Sequence, residues 1–451
     1  MCKPVSKASE CARTFTWAEV EKSAHSSKGN VTAGPLYVVI NKKVYDLGGD
    51  FFRWHPGGAV AASQLGQDAT GAFDVFHSPA THETLANFYA GDLAASEVPK
   101  PNAFAGDVQK LRDTIDSLNL YESSKLWYAT KIAQTIAIAV ASVAVLAWKG
   151  DSVLGVAVSG LMMATFWQQS GWLAHDLCHH QVFQNRFYND AVAYFMGNVA
   201  QGFSIAWWKH KHSTHHAVPN VHETDPDIDT LPFLAWSEHA LDGFSDLSDA
   251  TLAKFMVKYQ PIIFFPLLSL ARMAWAFQSL MWNAPGSNQA QEFPTRSKVE
   301  SVTLGIHYLW VLGAAFGLAS PMYGLLWLLI SQCGCGFLLA VVFAVNHNGM
   351  PVYSRTDSAA MNYYELAIVT ARNVEPTAFN NWFTGGLNFQ IEHHMFPTIP
   401  RHNLHRVAPL VESLCKKHAV PYHRTSLSRG VVEVVDRLSA IAKASVKTRR
   451  A

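Results

Sequence analysis

Charged residues are scarce in this chain of 451 residues. Asp, Glu, Lys and Arg make up 15% of the sequence, compared with about 25% in typical soluble domains. Hydrophobic residues make up 49%, and the formal net charge is only +1. The low net charge argues against a nucleic-acid-binding protein, which would present a strongly basic surface. The composition as a whole favours a membrane protein.

Cysteine is also sparse, and its spacing excludes two classes of small domain. The six cysteines show neither zinc-ribbon spacing nor a disulfide framework; they are Cys2, Cys11, Cys178, Cys333, Cys335 and Cys415.

The first 35 residues contain no continuous apolar core, so we expect no signal peptide and a cytosolic N-terminus. No glycine-rich dinucleotide fingerprint is present.

Five apolar runs are candidates for membrane spans, which need roughly 20 residues. They cover residues 127–148, 153–174, 259–280, 302–319 and 322–345. The run 259–280 is the weakest, because prolines, glutamines and an arginine interrupt it. A charged residue in the middle of a bilayer is expensive. We therefore predict that this run lies at the membrane interface and that the other four cross.

Histidine, in contrast, is abundant and clustered. Three short motifs, HDLCHH, HSTHH and QIEHH, contain His175, His179, His180, His212, His215, His216, His393 and His394. Spacings of three and four residues place imidazoles on one face of a helix, and neutral imidazole is a good ligand for iron, zinc or copper. Three clusters offer more ligands than one four-coordinate metal can use. The pattern therefore predicts two metal ions.

A single shared site requires all three clusters on the same side of the bilayer. The first cluster begins directly after the run 153–174, and the third lies beyond the run 322–345. An even number of crossings must separate them, and four spans in two hairpins meet this condition. The hairpin turns are almost uncharged, whereas Lys209, Lys211, Arg296 and Lys298 lie between the hairpins. By the positive-inside rule, both termini and every cluster are predicted to face the cytosol.

Several residues near the clusters have more than one interpretation. His347 follows the last predicted span and should lie at the same membrane depth as the first cluster. The sequence is equally compatible with His347 as a metal ligand and as a structural residue. Gln390 stands where QIEHH could carry a third imidazole, and its amide oxygen could bind a metal weakly or hold a water. His180 points about 100° away from its neighbour on an ideal helix, and we interpret His210 as a bystander. Asp176 could accept a hydrogen bond from a ligand imidazole.

Residues 15–98 are predicted to form a compact module that begins with strand-like segments. In WHPGG, a proline and two glycines form a tight turn that aims His55 and lets a flat cofactor approach the backbone. Taken alone, this turn fits haem ligation and a plain turn equally well. His77, at the end of DATGAFDVFH, would complete a six-coordinate haem iron suited to electron transfer. His82 is a weaker candidate for that second ligand.

These motifs resemble two known families. With YDL ahead of WHPGG and DATGAFDVFH behind it, the N-terminal module resembles a cytochrome b5 domain, although its two histidines are slightly closer in sequence than is usual there. HDLCH, HSTHH and QIEHH resemble the three histidine boxes of membrane fatty-acyl desaturases. The glutamine of the third box and the fused module resemble front-end desaturases of polyunsaturated fatty acid synthesis. The segments QQSGWLAHDLCHHQVF, WWKHKHSTHHAVPN and DPDIDTLPFLAW resemble algal and protist enzymes of this group.

The resemblance implies an architecture and a set of cofactors. A small α+β haem domain (15–98) and a linker (99–120) would precede an all-α membrane domain (121–425) and a cytosolic tail (426–451). The membrane domain would have four transmembrane helices, interfacial helices and a cytosolic histidine-rich cap. Haem b would bind His55 and His77. Two non-haem irons would bind His175, His179, His212, His215, His216, His393 and His394, with His347 and Gln390 as additional ligands. The catalytic residues implied are those of the three boxes, Gln390 included.

The implied reaction is the O2-dependent introduction of a cis double bond between an existing double bond and the carboxyl end of a polyunsaturated acyl chain. The resemblance favours a new double bond at position Δ6, and positions Δ5, Δ8 and Δ4 stay possible. Electrons would pass from NADH through cytochrome b5 reductase and the fused haem, at the endoplasmic reticulum membrane. The acyl chain, carried by coenzyme A or a phospholipid, would occupy an apolar tunnel. Four tryptophans could line that tunnel or form an interfacial belt: Trp167, Trp207, Trp208 and Trp382.

Two other interpretations stay open at this point. A sphingolipid long-chain-base Δ8 desaturase or a lipid hydroxylase would share the fused haem domain and the histidine boxes. A membrane-anchored cytochrome b5-type electron carrier could instead use its histidines to bind zinc or for packing. The sequence does not determine the double-bond position, the acyl carrier, the ω-3 or ω-6 preference, or the oligomeric state.

Overall fold

The structure is a computed structural model that describes residues 13–26, 34–78, 80–99, 102–248 and 251–447. Cys2 and Cys11 lie outside the described residues, and the other four cysteines are free thiols. A small region of strands and short helices ends at Leu93, and a larger helical region begins at Ala103. The predicted combination of a small α+β domain with a mainly helical one is therefore confirmed.

Short strands and helices alternate in the N-terminal region. They are β1 (Thr14–Phe15), α1 (Trp17–Ser26), β2 (Tyr37–Ile40), β3 (Lys43–Asp46), α2 (Phe51–Trp54), a 3-10 helix (Gly58–Gln64), α3 (Thr70–Phe76), α4 (Thr81–Leu85), a 3-10 turn (Ala86–Phe88) and β4 (Tyr89–Leu93). The sheet order is β1-β4-β3-β2, with β1 parallel to β4 and the other pairs antiparallel. Because strand side chains alternate between faces, Val38 and Ile40 pack beneath the short helices while Val39 packs on the opposite face.

The rest of the described chain is mainly helical. Its elements are α5 (Ala103–Ser117), α6 (Lys125–Lys149), α7 (Val153–Cys178), α8 (Arg186–Ala193), a π-helix (Tyr194–Gln201), α9 (Ile205–Ala217), 3-10 turns (Glu238–Leu241 and Phe244–Asp246), α10 (Leu252–Ser269), α11 (Ala271–Trp282), α12 (Asn288–Glu292), α13 (Pro294–Gly317), α14 (Pro321–His347), α15 (Arg355–Ala359), α16 (Tyr363–Val369), β5 (Asn373–Val374), α17 (Ala378–Phe383), a 3-10 turn (Leu387–Phe389), α18 (Gln390–Met395), a 3-10 turn (Arg401–Asn403), α19 (Leu404–His418), β6 (Arg424–Thr425) and α20 (Leu427–Lys447).

Three of the described helices, α6, α13 and α14, are long and apolar enough to cross a membrane. Helix α7 has a comparable length but a polar second half, and every residue from Phe166 to Cys178 is buried inside the protein. Helices α10 and α11 qualify only as a pair, which is bent by 66°. The run 259–280, predicted to lie at the interface, thus contains a sharp break. The number of crossings stays a prediction.

The turns of two helical hairpins lie side by side. Helix α6 packs along α7, α7 along α14, and α13 along α14. A Cβ atom at Gly150, in the α6–α7 turn, would lie 2.7 Å from the carbonyl oxygen of Leu318, in the α13–α14 turn. The opposite ends of α7 and α14 are therefore on a common side, and these are the ends that carry His175 and His347.

A cap of shorter helices covers that side of the helical domain. Its core joins α16, α18 and α19 through residues such as Ile368, Ile391 and Val411. Helix α5 belongs to the same core, into which it inserts Phe104, Val108, Leu111 and Ile115. The segment predicted as a linker thus contains a helix that is packed against the cap.

Candidate metal centre and haem site

The first histidine cluster lies at the end of α7. His175 is in the last turn of the helix and His179 is its C-terminal cap, and their ring centroids are 4.6 Å apart. The predicted hydrogen bond is present, since His175 Nδ1 lies 3.3 Å from Asp176 Oδ1. His180 turns away in a left-handed conformation (φ 57°) and contacts Asp190 and Lys209 instead.

The second cluster is carried by α9, which begins at the cap residue Ser204. His212 and His216 are one turn apart, and their Nε2 atoms are 3.0 Å apart. His215 is fully buried, and its Nδ1 atom lies 2.8 Å from Asp225 Oδ2. His210 faces the ring of Trp282, away from the other histidines, as expected of a bystander.

The third cluster lies on the short helix α18, which is held by a buried polar network. The side-chain oxygen of Asn373 accepts from the backbone NH of Ile391, and its Nδ2 donates to Glu392. Tyr422 donates to the second oxygen of Glu392. Burial raises the pKa of the Glu392 carboxyl to about 7. These bonds orient α18 so that its two histidines point toward the other clusters.

The three clusters meet and form two groups. The possible ligand atoms of each group lie within 4.8 Å of one another, the first comprising His175, His179, His212 and His393, and the second His215, His347 and His394. His216 lies between them, with its ring stacked on that of His394 at 4.0 Å and beside that of His179 at 4.7 Å. The amide of Gln390 reaches the second group, where its Nε2 is 2.8 Å from His347 Nε2.

The residues present fit two metal ions. In the first group, the Nε2 atoms of His175, His179 and His393 are buried without a hydrogen-bond partner among the described residues. In the second group, His347 Nε2 lies 2.9 Å from His394 Nε2 and 3.2 Å from His215 Nε2. Two ligands at right angles on a metal with bonds of about 2.1 Å are about 3 Å apart. Converging nitrogens at these separations match a set of metal ligands.

The protonation states also suit metal binding, which requires neutral imidazole. Burial, followed by the neighbouring imidazoles, lowers the pKa of His212 and His393 well below the ordinary value. His215 differs: burial alone would lower its pKa, but the carboxylates of Asp225 and Asp227 raise it. With Nδ1 held by Asp225, its Nε2 faces the second group. The carboxylate of Asp225 thus adds a negative charge next to the second group, behind the ligand His215.

Sequence reasoning missed Asp225. It lies in the segment DPDIDTLPFLAW, is fully buried, and accepts from the backbone NH groups of Asn220 and Asp227 as well as contacting His215. The acidic repeat nine to thirteen residues after HSTHH was the available signal, because ligand histidines commonly bind a carboxylate through their second nitrogen. The backbone carbonyl of Thr370 plays the same part for His347, at 3.0 Å from Nδ1.

The haem ligands predicted in the N-terminal domain face one another. The ring centroids of His55 and His77 are 5.8 Å apart, and two imidazoles on opposite sides of one iron would be roughly 6 Å apart. Each Nδ1 lies near a backbone carbonyl, that of Gly58 for His55 and that of Phe73 for His77, which leaves both Nε2 atoms for iron. Burial lowers the pKa of both rings, that of His77 to about 4.

The turn in WHPGG requires its glycines. Gly58 has a positive φ of 57°, and a Cβ at Gly57 would come within 3.0 Å of the His55 ring. His82 contacts Phe73 edge-on, whereas Phe73 stacks directly on His77. The arrangement therefore pairs His55 with His77 and leaves His82 outside the pair.

The four tryptophans considered for substrate contact differ in position. Trp208 stacks on His212 at 4.1 Å, and Trp207 contacts Trp275 at 5.9 Å. Trp167 is completely buried, whereas Trp382 is 41% exposed. Only Trp208 therefore touches a histidine of the candidate centre among these four.

Comparison with known proteins shows what the two parts of the chain are similar to. Residues 151–426 match the Fatty acid desaturase family, and residues 16–94 match the Cytochrome b5-like Heme/Steroid binding domain. An Acyl-lipid (9-3)-desaturase of Physcomitrium patens is 37% identical over 99% of this chain and 82% of its own length. A Delta(8)-fatty-acid desaturase of Euglena gracilis is 34% identical over 88% and 94%, and a Delta(6)-fatty-acid desaturase of Caenorhabditis elegans is 32% identical over 86% and 92%.

Replacing the buried carboxylate that orients His215 is expected to weaken metal binding. In Asp225→Asn the side chain loses its charge, so the His215 ring is oriented less firmly, and we expect metal affinity to fall about 10- to 100-fold. Iron content of the purified protein, followed during titration with a chelator, measures this loss. The matched control is Asp229→Asn, an exposed carboxylate of the same acidic segment, which should bind iron normally. Equal iron retention in both variants would refute the role of Asp225.

Proposed function

Because the chain belongs to the fatty acid desaturase family and carries a cytochrome b5-like domain at its N-terminal end, we propose that it is a front-end desaturase of polyunsaturated acyl chains. It introduces a cis double bond between an existing double bond and the carboxyl end, using O2. The observation that carries this proposal is the convergence of histidines from α7, α9, α14 and α18 on one centre, in a chain whose N-terminal domain also brings two histidines face to face.

Two irons are the metals that this site is proposed to hold. His175, His179, His212 and His393 would bind one, and His215, His347 and His394 the other. His216 lies between the two groups. Gln390 is the remaining candidate ligand; its amide oxygen accepts from Asn346, so it would have to turn this oxygen toward the second group to bind metal. When bound, the irons supply together with O2 the oxidant for an unactivated C–H bond, which no side chain can provide. The protein holds the ligands in place through Asp176, Asp225 and the polar network around Glu392, and it keeps bulk water out by burial.

Reducing equivalents are proposed to come from NADH through a separate cytochrome b5 reductase. His55 and His77 would hold haem b between them. A haem with two histidine ligands has no open position, so it suits one-electron transfer and not O2 binding. The division into a haem domain (15–98), a connecting segment (99–120), a desaturase domain (121–425) and a cytosolic tail (426–451) is part of the same proposal.

For the substrate we favour Δ6 desaturation, with Δ5, Δ8 and Δ4 as alternatives. The names of the similar proteins include Delta(6), Delta(8) and (9-3) desaturases, so they do not single out one position. A shift of one carbon along the chain is little more than 1 Å, and small changes in the substrate channel can therefore move the double bond. The acyl carrier is either coenzyme A or a phospholipid.

For the membrane topology we propose four crossings, by α6, α7, α13 and α14, with α10 and α11 as a bent pair that does not cross. The adjacent turns at Gly150 and Leu318 would then face the lumen of the endoplasmic reticulum. Both termini and the histidine cap would face the cytosol, in keeping with the lysines on α9 and the positive-inside rule.

Expression in yeast with added polyunsaturated fatty acids is the direct test of function. We expect a new double bond near the carboxyl end, and we expect His212→Ala and His393→Ala to abolish it, because each removes a ligand of the first group. His210→Ala is the matched control, since this neighbour on α9 faces Trp282 and should retain product formation. A hydroxylated product, or a double bond only in long-chain bases, would contradict the proposal.

Removal of a haem ligand should affect a different observable. His55→Ala is expected to abolish the haem absorbance while iron bound outside the haem stays near two per chain, because the two sites use separate residues. His82→Ala is the matched control and should keep the haem spectrum. Loss of non-haem iron in His55→Ala, or an unaltered haem spectrum, would contradict the separation of the two sites.

Glycosylation mapping tests the topology. An acceptor tag inserted in the α6–α7 turn should be glycosylated in endoplasmic reticulum membranes, because that turn is proposed to be luminal. The same tag inserted after Glu238, between α9 and α10, should stay unmodified. The reverse pattern would exclude the proposed orientation.

A further inference from the structure

The haem domain is packed on the cap of the desaturase domain. Its 3-10 helix Gly58–Gln64 lies against α9, and α3 lies against α16. Gln64 Nε2 donates to the carbonyl of Ala217 at 3.2 Å, directly after the last histidine of α9. Since the 3-10 helix follows His55 and α3 precedes His77, the segment between the two haem ligands provides this contact surface.

Tyr363 contacts both the haem domain and the metal-binding helix α9 at this surface. The hydroxyl of Tyr363, at the start of α16, donates to the backbone carbonyl of His216 at 3.0 Å. On its other side, Tyr363 fills the space above Gly71 of α3, where an added Cβ would lie 2.5 Å from Tyr363 Cβ and 3.1 Å from Cγ. Glycine at position 71 therefore lets α3 of the haem domain approach Tyr363 closely, and Tyr363 in turn binds the metal-binding helix α9.

Ion pairing and hydrogen bonds flank this contact. Arg112 of α5 lies 3.1 Å from Asp74 Oδ2 of α3, and it also donates to the hydroxyl of Tyr364. Arg355 donates to the backbone carbonyl of Leu65 at 3.1 Å. Arg112 and Asp74 are each only about one quarter exposed, so their attraction is less screened than that of a surface pair. The haem domain is thus fastened on both sides of Tyr363.

The haem-ligand side of the small domain faces the desaturase domain. His77 is the C-terminal cap residue of α3, the helix whose Gly71 meets Tyr363. One short helix therefore connects the second haem ligand with the contact to the desaturase domain.

We propose that Tyr363 is the positioning residue that holds the haem domain in its electron-delivering pose and links it to His216. This inference rests on the proposed desaturase function. In each transfer one ferrous haem is oxidised to ferric and one ferric non-haem iron is reduced to ferrous, with electrons replenished from NADH through the reductase. No bond is formed or broken, and no proton moves through Tyr363. Its ring fixes the distance between the domains, and its hydroxyl connects to the backbone of a metal-site histidine.

The test uses full-length protein loaded with haem and iron. Gly71→Ala adds one methyl group that collides with Tyr363, and it does not weaken α3 itself because alanine favours a helix by up to about 1 kcal/mol over glycine. Tyr363→Phe keeps the ring and removes the hydrogen bond to His216. Tyr323→Phe, at the far end of α14, is the matched control.

The principal measurement is the rate at which reduced haem is reoxidised when O2 and the acyl substrate are added. We expect at least a tenfold slower rate in Gly71→Ala. In Tyr363→Phe we expect about a fivefold slower rate, which corresponds to the loss of one hydrogen bond. The control should match the wild type. No variant should change the haem midpoint potential, the non-haem iron content or the rate of haem reduction by the reductase.

Docking is measured separately by hydrogen exchange. Gly71→Ala should increase exchange in residues 58–64 and 363–369, whereas Tyr363→Phe should have a smaller effect there. If wild-type haem is not reoxidised in a substrate-dependent manner, the proposed function fails. If the wild type responds and both variants reoxidise at its rate, or if the rate falls only together with iron content or haem potential, the role of Tyr363 is overturned.

Discussion

The polar side of α7 holds the third histidine cluster against the first, and the rest of the centre depends on this attachment. Gln168 and Trp172 both donate to the backbone carbonyl of Phe383, and Gln169 donates to that of Trp382. These carbonyls end α17, a few residues before the third cluster. One turn further along α7, Asp176 pairs with Arg401, which in turn binds the carbonyl of Gly385. Four polar side chains on one helix therefore place α18 over the end of α7.

This attachment also explains the composition of α7. A helix in contact with lipid has no reason to carry adjacent glutamines, because each unsatisfied amide in hydrocarbon costs several kcal/mol. Gln168 and Gln169 are buried inside the protein and bind backbone carbonyls. Their cost is thereby offset, but the polar stretch leaves α7 outside the set of helices, α6, α13 and α14, that are long and apolar enough to cross a membrane. Helix α7 packs between α6 and α14, and its polar side chains serve these internal contacts.

A centre of so many buried imidazoles needs partners for its ring nitrogens. Each buried polar atom that lacks a partner costs about 1–3 kcal/mol, and three such Nε2 atoms face one another in the first group. The surrounding structure nevertheless fixes the rings through Asp225, the carbonyl of Thr370 and the network around Asn373. The fold thus holds converging imidazole nitrogens in fixed positions, as a metal site requires.

Local spacing predicted much of this site, and tertiary packing determined the rest. The motifs HDLCHH, HSTHH and QIEHH identified the histidines because helical periodicity is a short-range property of the sequence. The grouping of His215 with His347 and His394 could not be predicted, since it depends on how four separate helices approach one another. Asp225, Asn373 and Tyr363 were missed for the same reason, because each acts through a partner far away in sequence. Helix α5 was hidden by its position after a proline-containing polar stretch, although its four core residues follow helical spacing.

The packing of α5 changes the physical meaning of the fused haem domain. If residues 99–120 were a flexible tether, fusion would act mainly by raising the local concentration of the electron donor. Helix α5 is instead part of the cap, so only residues 94–102 separate β4 from it, a length that spans about 30 Å at most. The same helix also carries Arg112, which binds Asp74 of the haem domain. A short connection combined with a direct ion pair restricts orientation as well as distance. Electron transfer depends on both the orientation and the distance of donor and acceptor. The fusion therefore provides a defined docking geometry, which a freely diffusing donor would have to find again at each encounter.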